Sequence, residues 1–217
     1  MSELPDLATA TPLWLALVTV AVNALVGALH GIQDDSRNWD IVGVTVFALL
    51  MGLGGGFVRD LLLGNLPAES LRTPWYLVTV LGMVVVALLV GQRLARLRLL
   101  MTVLDGIALG LFAVTGTAHA LAVDLPVTSA VLVGTASAVG GGMLVSIMRD
   151  EVPAVLLVSA PNALLAVLAC VVYAATARWS SPVASVVAIA ALMVTQFTAQ
   201  RLGLRTRPAT ARARTRP

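Results

Sequence analysis

The chain has 217 residues, of which 59% are hydrophobic and 12% are charged, and its mean hydropathy is +0.94. A water-soluble domain carries about a quarter charged residues, so the composition excludes an ordinary soluble domain. The formal charge of +3 comes from arginine, because the chain contains no lysine. Repeated apolar runs of about 20 residues predict membrane-spanning helices, and the alternating pattern of a β-barrel is absent.

Seven apolar segments follow one another, separated by charged residues, prolines and glycines that end helices. They cover about 12–31, 40–63, 74–92, 99–120, 126–148, 153–174 and 182–201. We therefore expect an all-α membrane protein with seven transmembrane helices in a single domain over 1–201. The remaining residues, 202–217, are rich in arginine and are predicted to form a disordered cytoplasmic tail. Such a tail binds anionic lipids beside a membrane helix, and no nucleic-acid partner is expected.

Arginine placement predicts the orientation. With the N-terminus outside, eleven of the fourteen arginines flank the inner ends of the segments, and Arg59, Arg72 and Arg178 flank the outer ends. The reverse orientation places eleven arginines on the wrong side. The expected arrangement is N-out and C-in, in a multi-pass protein of the cell membrane.

Two glycine triplets mark an internal repeat. They lie 86 residues apart, and the same offset brings Pro67 onto Pro153. The run Gly27 to His30 also resembles Gly116 to His119, at an offset of 89. Segments 1–3 (about 12–92) and 4–6 (about 99–174) are thus interpreted as two copies of a three-helix unit. Because three is odd, the copies insert in opposite directions, and segment 7 is left over.

The glycine triplets are predicted to be hinges of a pore. Their residues are Gly54, Gly55, Gly56, Gly140, Gly141 and Gly142. Glycine weakens a helix by about 1 kcal/mol per residue relative to alanine, so we expect segments 2 and 5 to break or kink near the middle of the membrane. Carbonyl groups exposed there would replace part of a cation's hydration shell. The alternative is close helix packing, because small residues let helices approach in membranes.

Polar residues near the triplets are candidates for lining or gating the pore. They are Arg59, Asp60, Thr135, Ser137 and Ser146. Adjacent helical residues point about 100° apart, so Arg59 and Asp60 are not expected to pair with each other. Ionisable residues within membranes are usually functional; the alternative for Arg59 is that it reaches the outer surface. A serine such as Ser146 can instead bond its own helix backbone.

No enzyme or metal chemistry is indicated. The sequence has no phosphate-binding loop, nucleophile elbow or zinc-protease motif. His30 and His119 lack ligand partners at metal-binding spacing, so neither a metal nor a cofactor is expected. Asp105 is predicted to pair with an arginine of residues 93–98, or else to line an inner vestibule.

Residues 54–67 resemble the Gly-Gly-Gly-x-x-Arg-Asp signature of the trimeric intracellular cation channel family and its prokaryotic relatives. Residues 105–116 are similar to the fourth helix of that family, and the likeness extends over 12–200. The resemblance implies a homotrimer with one pore in each protomer, which passes K⁺ and also Na⁺ between kinked segments 2 and 5. Related bacterial proteins that carry the signature in both halves have been linked to glycine uptake. A secondary transporter of a small solute such as glycine is therefore the alternative. The absence of Arg-Asp at 145–146 favours the channel.

Overall fold

The computed structural model describes residues 12–34, 38–95, 97–156, 162–178 and 180–203. Most of these residues are helical, and the predicted all-α class is confirmed. The α-helices are α1 (Leu13–Gln33), α2 (Ile41–Leu62), α3 (Glu69–Arg72), α4 (Pro74–Ala95), α5 (Arg98–Ala122), α6 (Val127–Met148), α7 (Asn162–Thr176) and α8 (Ser181–Arg201). Six of them are long and apolar enough to span a membrane. Residues 204–217, which make up most of the predicted tail 202–217, lie outside the described residues, and so does the predicted lipid contact there.

The predicted boundaries hold to within about three residues for six of the seven segments. The sixth was placed at 153–174, but its helix α7 begins at Asn162 and has 15 residues. Residues 154–156 form a short 3₁₀ helix, and residues 157–161, which the predicted segment also included, lie outside the described residues. The short helix α3, between α2 and α4, was not predicted.

The two predicted repeats end their central helices in the same way. Three backbone hydrogen bonds close α2: Leu63 N to Arg59 O, Gly64 N to Leu61 O, and Asn65 N to Asp60 O. Three others close α6: Arg149 N to Val145 O, Asp150 N to Ile147 O, and Glu151 N to Ser146 O. Each bond in one set lies 86 residues from its counterpart. Gly64 and Asp150 both have positive φ, at 69° and 54°, so the offset read from the sequence is also a structural offset.

Helices α2 and α6 cross in opposite directions, and their contacts come in reciprocal pairs. A Cβ built on Gly54 would lie 2.8 Å from Leu144 Cδ1, and one on Gly140 would lie 2.9 Å from Val58 Cγ2. Likewise, a Cβ on Gly55 would meet the carbonyl oxygen of Ser137. One on Gly141 would lie 2.8 Å from that of Met51. In each pair, adding 86 to the α2 residue of one contact gives the α6 residue of the other contact. A pseudo-two-fold axis therefore passes through this α2–α6 crossing.

The expected break in segments 2 and 5 does not occur. Helices α2 and α6 remain α-helical through both triplets, so the predicted loss of helix and exposure of carbonyls there was wrong. Propensities measured in water overstate the effect of glycine in a membrane, because an unmade backbone hydrogen bond costs several kcal/mol without water. The first two glycines of each triplet instead let the two helix backbones pack closely, which is the alternative interpretation given above for the triplets.

Candidate functional site

Within the described residues, two cavities approach the α2–α6 crossing from opposite ends. The larger has a volume of about 460 Å³ and opens beside Arg149, at the C-terminal end of α6. The smaller, of about 30 Å³, lies beside Arg59 near the C-terminal end of α2. We call them the Arg149 vestibule and the Arg59 pocket. Because α2 and α6 are antiparallel, these cavities lie at opposite ends of the molecule.

The Arg149 vestibule reaches deep into the helix bundle. Its wall includes Met51 of α2 and Asn23 of α1, each ten residues from the helix end at which the vestibule opens. At a rise of about 1.5 Å per residue this is a depth of about 15 Å, half the thickness of a bilayer's apolar core. Many polar side chains line it: Asn23, His30, Thr102, Asp105, Ser146, Arg149, Glu151, Asn162, Gln196 and Gln200.

The third glycine of each triplet faces a cavity, unlike the first two. A Cβ on Gly56 would meet no atom within 4 Å, and Gly56 lines the Arg59 pocket. A Cβ on Gly142 would meet only Met51 Cε, at 4.0 Å, and Gly142 lines the Arg149 vestibule. The six residues predicted as hinges therefore divide into four that pack and two, related by the repeat, that face the two cavities.

Arg59 and Asp60 are buried and paired at the end of α2. Their exposed fractions are 7% and 1%, and Arg59 Nε donates to Asp60 Oδ1 at 2.8 Å. The expectation that neighbouring residues on the helix would not pair was wrong. The arginine side chain is long enough to curl back to Asp60, and a buried guanidinium without a carboxylate partner is strongly destabilising.

Glu69, on the unpredicted helix α3, completes this cluster. Arg59 Nη2 donates to Glu69 Oε2 at 3.0 Å, and the hydroxyl of Tyr76 donates to Glu69 Oε1 at 2.9 Å. The imidazole Nε2 of His119 lies 3.6 Å from Glu69 Oε2. The backbone N–H of Glu69 also donates to Asp60 Oδ2 at 2.8 Å. We call these five residues, from α2, α3, α4 and α5, the Arg59 cluster.

Electrostatics keep Glu69 ionised. Burial alone would raise the pKa of its carboxyl, but the hydrogen bond with His119, the charges of Arg59 and His119, and the Tyr76 hydroxyl outweigh burial. The pKa of Glu69 falls from 4.5 to about 2. The Arg59 cluster thus contains two carboxylates, one guanidinium and the imidazole of His119. It closes the narrow Arg59 pocket with groups that attract cations.

The other predicted site residues differ in their surroundings. Ser146 lines the Arg149 vestibule, and its hydroxyl donates to Gly142 O of its own helix at 3.0 Å. Ser137 is fully buried and donates to Gly55 O across the α2–α6 crossing at 3.0 Å. Thr135 donates to Val131 O at 2.7 Å and lies 3.7 Å from Cys170 Sγ of α7. Among the described residues, Ser146 therefore faces a cavity, whereas Ser137 and Thr135 join helices.

Ion pairs surround the mouth of the Arg149 vestibule. Arg149 Nε lies 3.3 Å from Asp34 Oδ2, and Arg149 Nη2 lies 3.0 Å from Glu151 Oε1. Asp105 lines the vestibule, and its Oδ1 lies 3.4 Å from His30 Nε2. Asp105 thus lies in the wall of the vestibule, which is the second of the two roles predicted for it from the sequence. The described part of the chain contains no group of three metal-binding side chains.

Sequence reasoning missed four residues that shape these cavities: Asn23, Glu69, Tyr76 and Gln196. Asn23 is 3% exposed, and its Nδ2 donates to Thr19 O and, across to α5, to Ala108 O. Gln196 is 7% exposed, and its Nε2 donates to Thr102 O at 3.2 Å. Isolated amides within apolar segments were the available signal, because an amide in a membrane needs a polar partner.

Comparison with known proteins identifies relatives along most of the chain. A family model described as "Glycine transporter" matches residues 13–92 and 102–178. A "UPF0126 membrane protein" of Deinococcus radiodurans is 36% identical over 143 residues, which cover 66% of this chain and 65% of that protein. The match thus spans just under two thirds of the length of that relative. The "UPF0126 inner membrane protein YadS" of Escherichia coli is 28% identical over 144 residues, which cover 66% of this chain and 68% of that protein.

A solved structure shares the fold. The crystal structure of the TRIC trimeric intracellular cation channel orthologue from Rhodobacter sphaeroides superposes with a TM-score of 0.78 at 26% identity. It covers 91% of this chain and 100% of that one. The resemblance drawn from residues 54–67 and 105–116 is therefore confirmed. The prediction of a multi-pass protein of the plasma membrane is also confirmed, since relatives are named as membrane and inner membrane proteins.

Proposed function

The chain belongs to the glycine transporter family and has the fold of the trimeric intracellular cation channels, and we propose that it is itself a monovalent cation channel. In this proposal each protomer contains one pore, which passes K⁺ and also Na⁺. The pore runs from the Arg149 vestibule past the α2–α6 crossing to the Arg59 pocket.

One observation carries the proposal: a polar vestibule reaches the middle of an otherwise apolar bundle. Polar side chains within a membrane protein usually line a pathway for ions or solutes. Here they line a cavity of about 460 Å³ that extends inward to Met51 and Gly142, beside the crossing. The Arg59 pocket begins on the other side of α2, at Gly52 and Gly56. Met51 and Gly52, which line the two cavities, are consecutive residues of α2.

The charges along this route favour cations. The vestibule is lined by the carboxylates of Asp105 and Glu151, and the guanidinium of Arg149 is held by Asp34 and Glu151. At the other end, the two carboxylates of the Arg59 cluster exceed its one guanidinium. A pathway lined with excess carboxylate raises the local concentration of cations.

In this proposal the pathway is open at the Arg149 vestibule and closed at the Arg59 pocket. Closure is made by the contact of Arg59 with Glu69, which joins α2 to α3. In this proposal, conduction requires the two side chains to separate while Arg59 keeps its contact with Asp60. A bend of α2 and α6 at Gly56 and Gly142, the predicted hinges that face the cavities, would accompany that separation.

Assembly as a homotrimer is part of the proposal. The Rhodobacter relative is named as a trimeric channel, and this chain has the same fold. Many apolar side chains on the outside of the helices are exposed in the single chain, including Trp75, Leu89 and Leu132, and are available to lipid or to neighbouring protomers. The tail, residues 202–217, would bind anionic lipids at the cytoplasmic surface.

Recording from purified protein in planar bilayers tests the proposal. With KCl on one side and NaCl on the other, we expect unitary currents and a reversal potential close to zero, because both ions pass. With a KCl gradient alone, the reversal potential should follow the K⁺ equilibrium potential. Bilayers that stay silent with protein shown to be inserted, or a reversal potential that follows chloride, would overturn it.

A carrier for a small zwitterion is the second candidate. Two observations favour it: the description of the matching family, and a vestibule that presents both a guanidinium and carboxylates, at Arg149, Asp105 and Glu151. A cavity accessible from one end is also the arrangement expected of an alternating-access carrier. Proteoliposomes distinguish the two candidates, since a carrier accumulates labelled glycine saturably and shows counterflow, whereas a channel conducts without saturable glycine uptake.

A further inference from the structure

We propose that Asp105 and Gln196 form a binding site for one small monovalent cation in the wall of the Arg149 vestibule. The site extends the proposed function and rests on it for its role in permeation, although binding itself can be measured separately. Asp105 lies in the second turn of α5, and Gln196 lies near the C-terminal end of α8. The antiparallel packing of α5 and α8 brings them to the same cavity.

The amide oxygen of Gln196 has no hydrogen-bond partner among the described residues, although the side chain is 7% exposed. Its orientation is determined, because Gln196 Nε2 donates to Thr102 O at 3.2 Å. The reversed amide would place two oxygens against each other. A buried acceptor without a partner destabilises the folded state, and a coordinated cation would remove that cost.

Gly106 lets the amide oxygen of Gln196 approach the turn of α5 that carries Asp105. A Cβ built on Gly106 would collide with Gln196 Oε1 and would lie 2.7 Å from Met193 Sδ. The absence of a side chain at this position therefore lets the amide approach the backbone of α5. Asp105 is the preceding residue in the chain, so its carboxylate lies on the same turn of the helix.

The carboxylate of Asp105 supplies the charge that the site needs. Its Oδ1 is buried and makes no hydrogen bond in the described part of the chain. The ion-pair partner recorded for it, His30 Nε2, is 3.4 Å away, beyond the usual hydrogen-bond range of about 2.7–3.2 Å. The side chain as a whole is 40% exposed, so an ion in the vestibule can reach it.

Arg149, the positive charge of the same vestibule, does not oppose this site. Its guanidinium lies against Asp34 and Glu151, which together outweigh its charge. Oxygen atoms from a carboxylate and an amide suit hard cations such as Na⁺ and K⁺, and they also accept hydrogen bonds from a primary ammonium group. The shared chemistry is a compact monovalent cation.

Thermal unfolding of the purified full-length protein in detergent tests the site. A ligand that binds the folded state raises the melting temperature in a saturable manner. The salts are KCl, NaCl and methylammonium chloride, each compared with choline chloride at equal ionic strength, because choline is too bulky. We expect a saturable rise with at least one of the small cations. A rise with K⁺ or Na⁺ but not with methylammonium would identify an alkali-metal site. A rise with methylammonium only would identify an ammonium site.

Two substitutions should weaken binding: Asp105→Asn, which removes the charge, and Gln196→Met, which removes the amide oxygen at similar length. For each we expect the half-saturating concentration to rise about tenfold, the equivalent of about 1.4 kcal/mol. Gln196→Glu adds a carboxylate and should lower the half-saturating concentration. This variant tests the role of residue 196 if Gln196→Met fails to fold. Asp124→Asn is the matched control, because Asp124 follows α5 at its other end and asparagine tolerates its positive φ.

The site would be overturned if none of the small cations differed from choline, or if the three vestibule variants responded like the control. Planar-bilayer recordings separate this result from the proposed function. Silent bilayers together with intact cation-dependent stabilisation would reject the channel and keep the site. Normal currents with a stabilisation that Asp105→Asn and Gln196→Met leave unchanged would reject the site and keep the channel.

Discussion

At the scale of single residues, Glu69 connects more of the molecule than any motif residue. It belongs to a four-residue helix outside the membrane-spanning segments, yet it binds side chains from α2 and α4 and lies beside one from α5. The surrounding donors keep it ionised. Its charge therefore stabilises the folded conformation of the Arg59 cluster.

The depressed pKa of Glu69 predicts a pH dependence of stability. Because the folded-state pKa of about 2 lies below the ordinary value of 4.5, the stabilisation is complete above about pH 4.5. It is lost as the pH falls towards 2. The variant Glu69→Gln should lack this contribution at every pH, with a loss on the order of 3 kcal/mol at neutral pH. Melting temperatures in detergent between pH 7 and pH 3 check both statements.

Glu151→Gln is the control for this measurement. Glu151 also pairs with an arginine, but its side chain is 49% exposed, and exposed ion pairs contribute about 0–1 kcal/mol. We expect a smaller fall in melting temperature than for Glu69→Gln. Equal melting temperatures for Glu69→Gln and the wild type at pH 7 would contradict the stabilising role of Glu69.

Residues of this kind could not be found from the sequence. Glu69 follows the Gly-Gly-Gly-x-x-Arg-Asp motif by nine residues and lies in a stretch that looks like an ordinary loop. Its partners Tyr76 and His119 are 7 and 50 residues further along the chain, and helix packing alone brings them together. Pairing of Arg59 with Asp60 was missed for a different reason. Helical spacing fixes the directions of the Cα–Cβ bonds, whereas the guanidinium at the end of a long arginine side chain can lie in another direction.

At the scale of helices, the glycine triplets are the features that sequence analysis located correctly and explained in part. Three consecutive glycines indicate a weak helix by propensity, but in a membrane the intrahelical hydrogen bonds have no competitor. The helices therefore persist, and the missing side chains are used for close approach at Gly54, Gly55, Gly140 and Gly141. A hinge role for the triplets remains a prediction.

Alanine substitutions should separate the two kinds of glycine. Gly55→Ala and Gly141→Ala place a methyl group against the backbone carbonyl of the opposite helix, which cannot move aside. We expect a destabilisation of about 1–3 kcal/mol. Gly56→Ala and Gly142→Ala have space for the methyl group and should raise helix stability by up to about 1 kcal/mol. Melting temperatures of the four purified variants measure the difference.

The same four variants test the hinge role. If Gly56 and Gly142 only leave space in the cavities, their alanine variants should assemble normally and still conduct. Stable Gly56→Ala and Gly142→Ala proteins that carry no current would indicate that α2 and α6 must bend at these positions. A similar loss of stability in all four variants would contradict the division into packing and cavity-facing glycines.

At the scale of the whole molecule, the sequence predicted the architecture better than the site. Long apolar segments report membrane spans directly, and the 86-residue offset between the triplets correctly paired the halves. The start of the sixth segment was misplaced, because its apolar run begins at Pro153, whereas residues 154–156 form a 3₁₀ helix. The two cavities could not be located from the sequence, because their walls come from several helices and depend on three-dimensional packing.

The orientation in the membrane can be measured with single cysteines. Cys170 is fully buried, so the wild type should give little background with a thiol reagent. Leu66 at the Arg59 end and Val152 at the Arg149 end are 61% and 60% exposed. In intact cells, a membrane-impermeant maleimide should label Leu66→Cys and should reach Val152→Cys only after permeabilisation. The opposite result would contradict the N-out orientation.

The close glycine contacts at the α2–α6 crossing come in reciprocal pairs, so the joint between the halves has the geometry of a homodimer contained in one chain. A half-length chain inserted into the membrane in both orientations would form the same joint. A gene duplication and fusion would place both copies in one chain, where each can differ in sequence. Arginine and aspartate at 59 and 60 correspond to valine and serine at 145 and 146. Duplication thus accounts for a transport protein whose two entrances share a backbone plan but differ in chemistry.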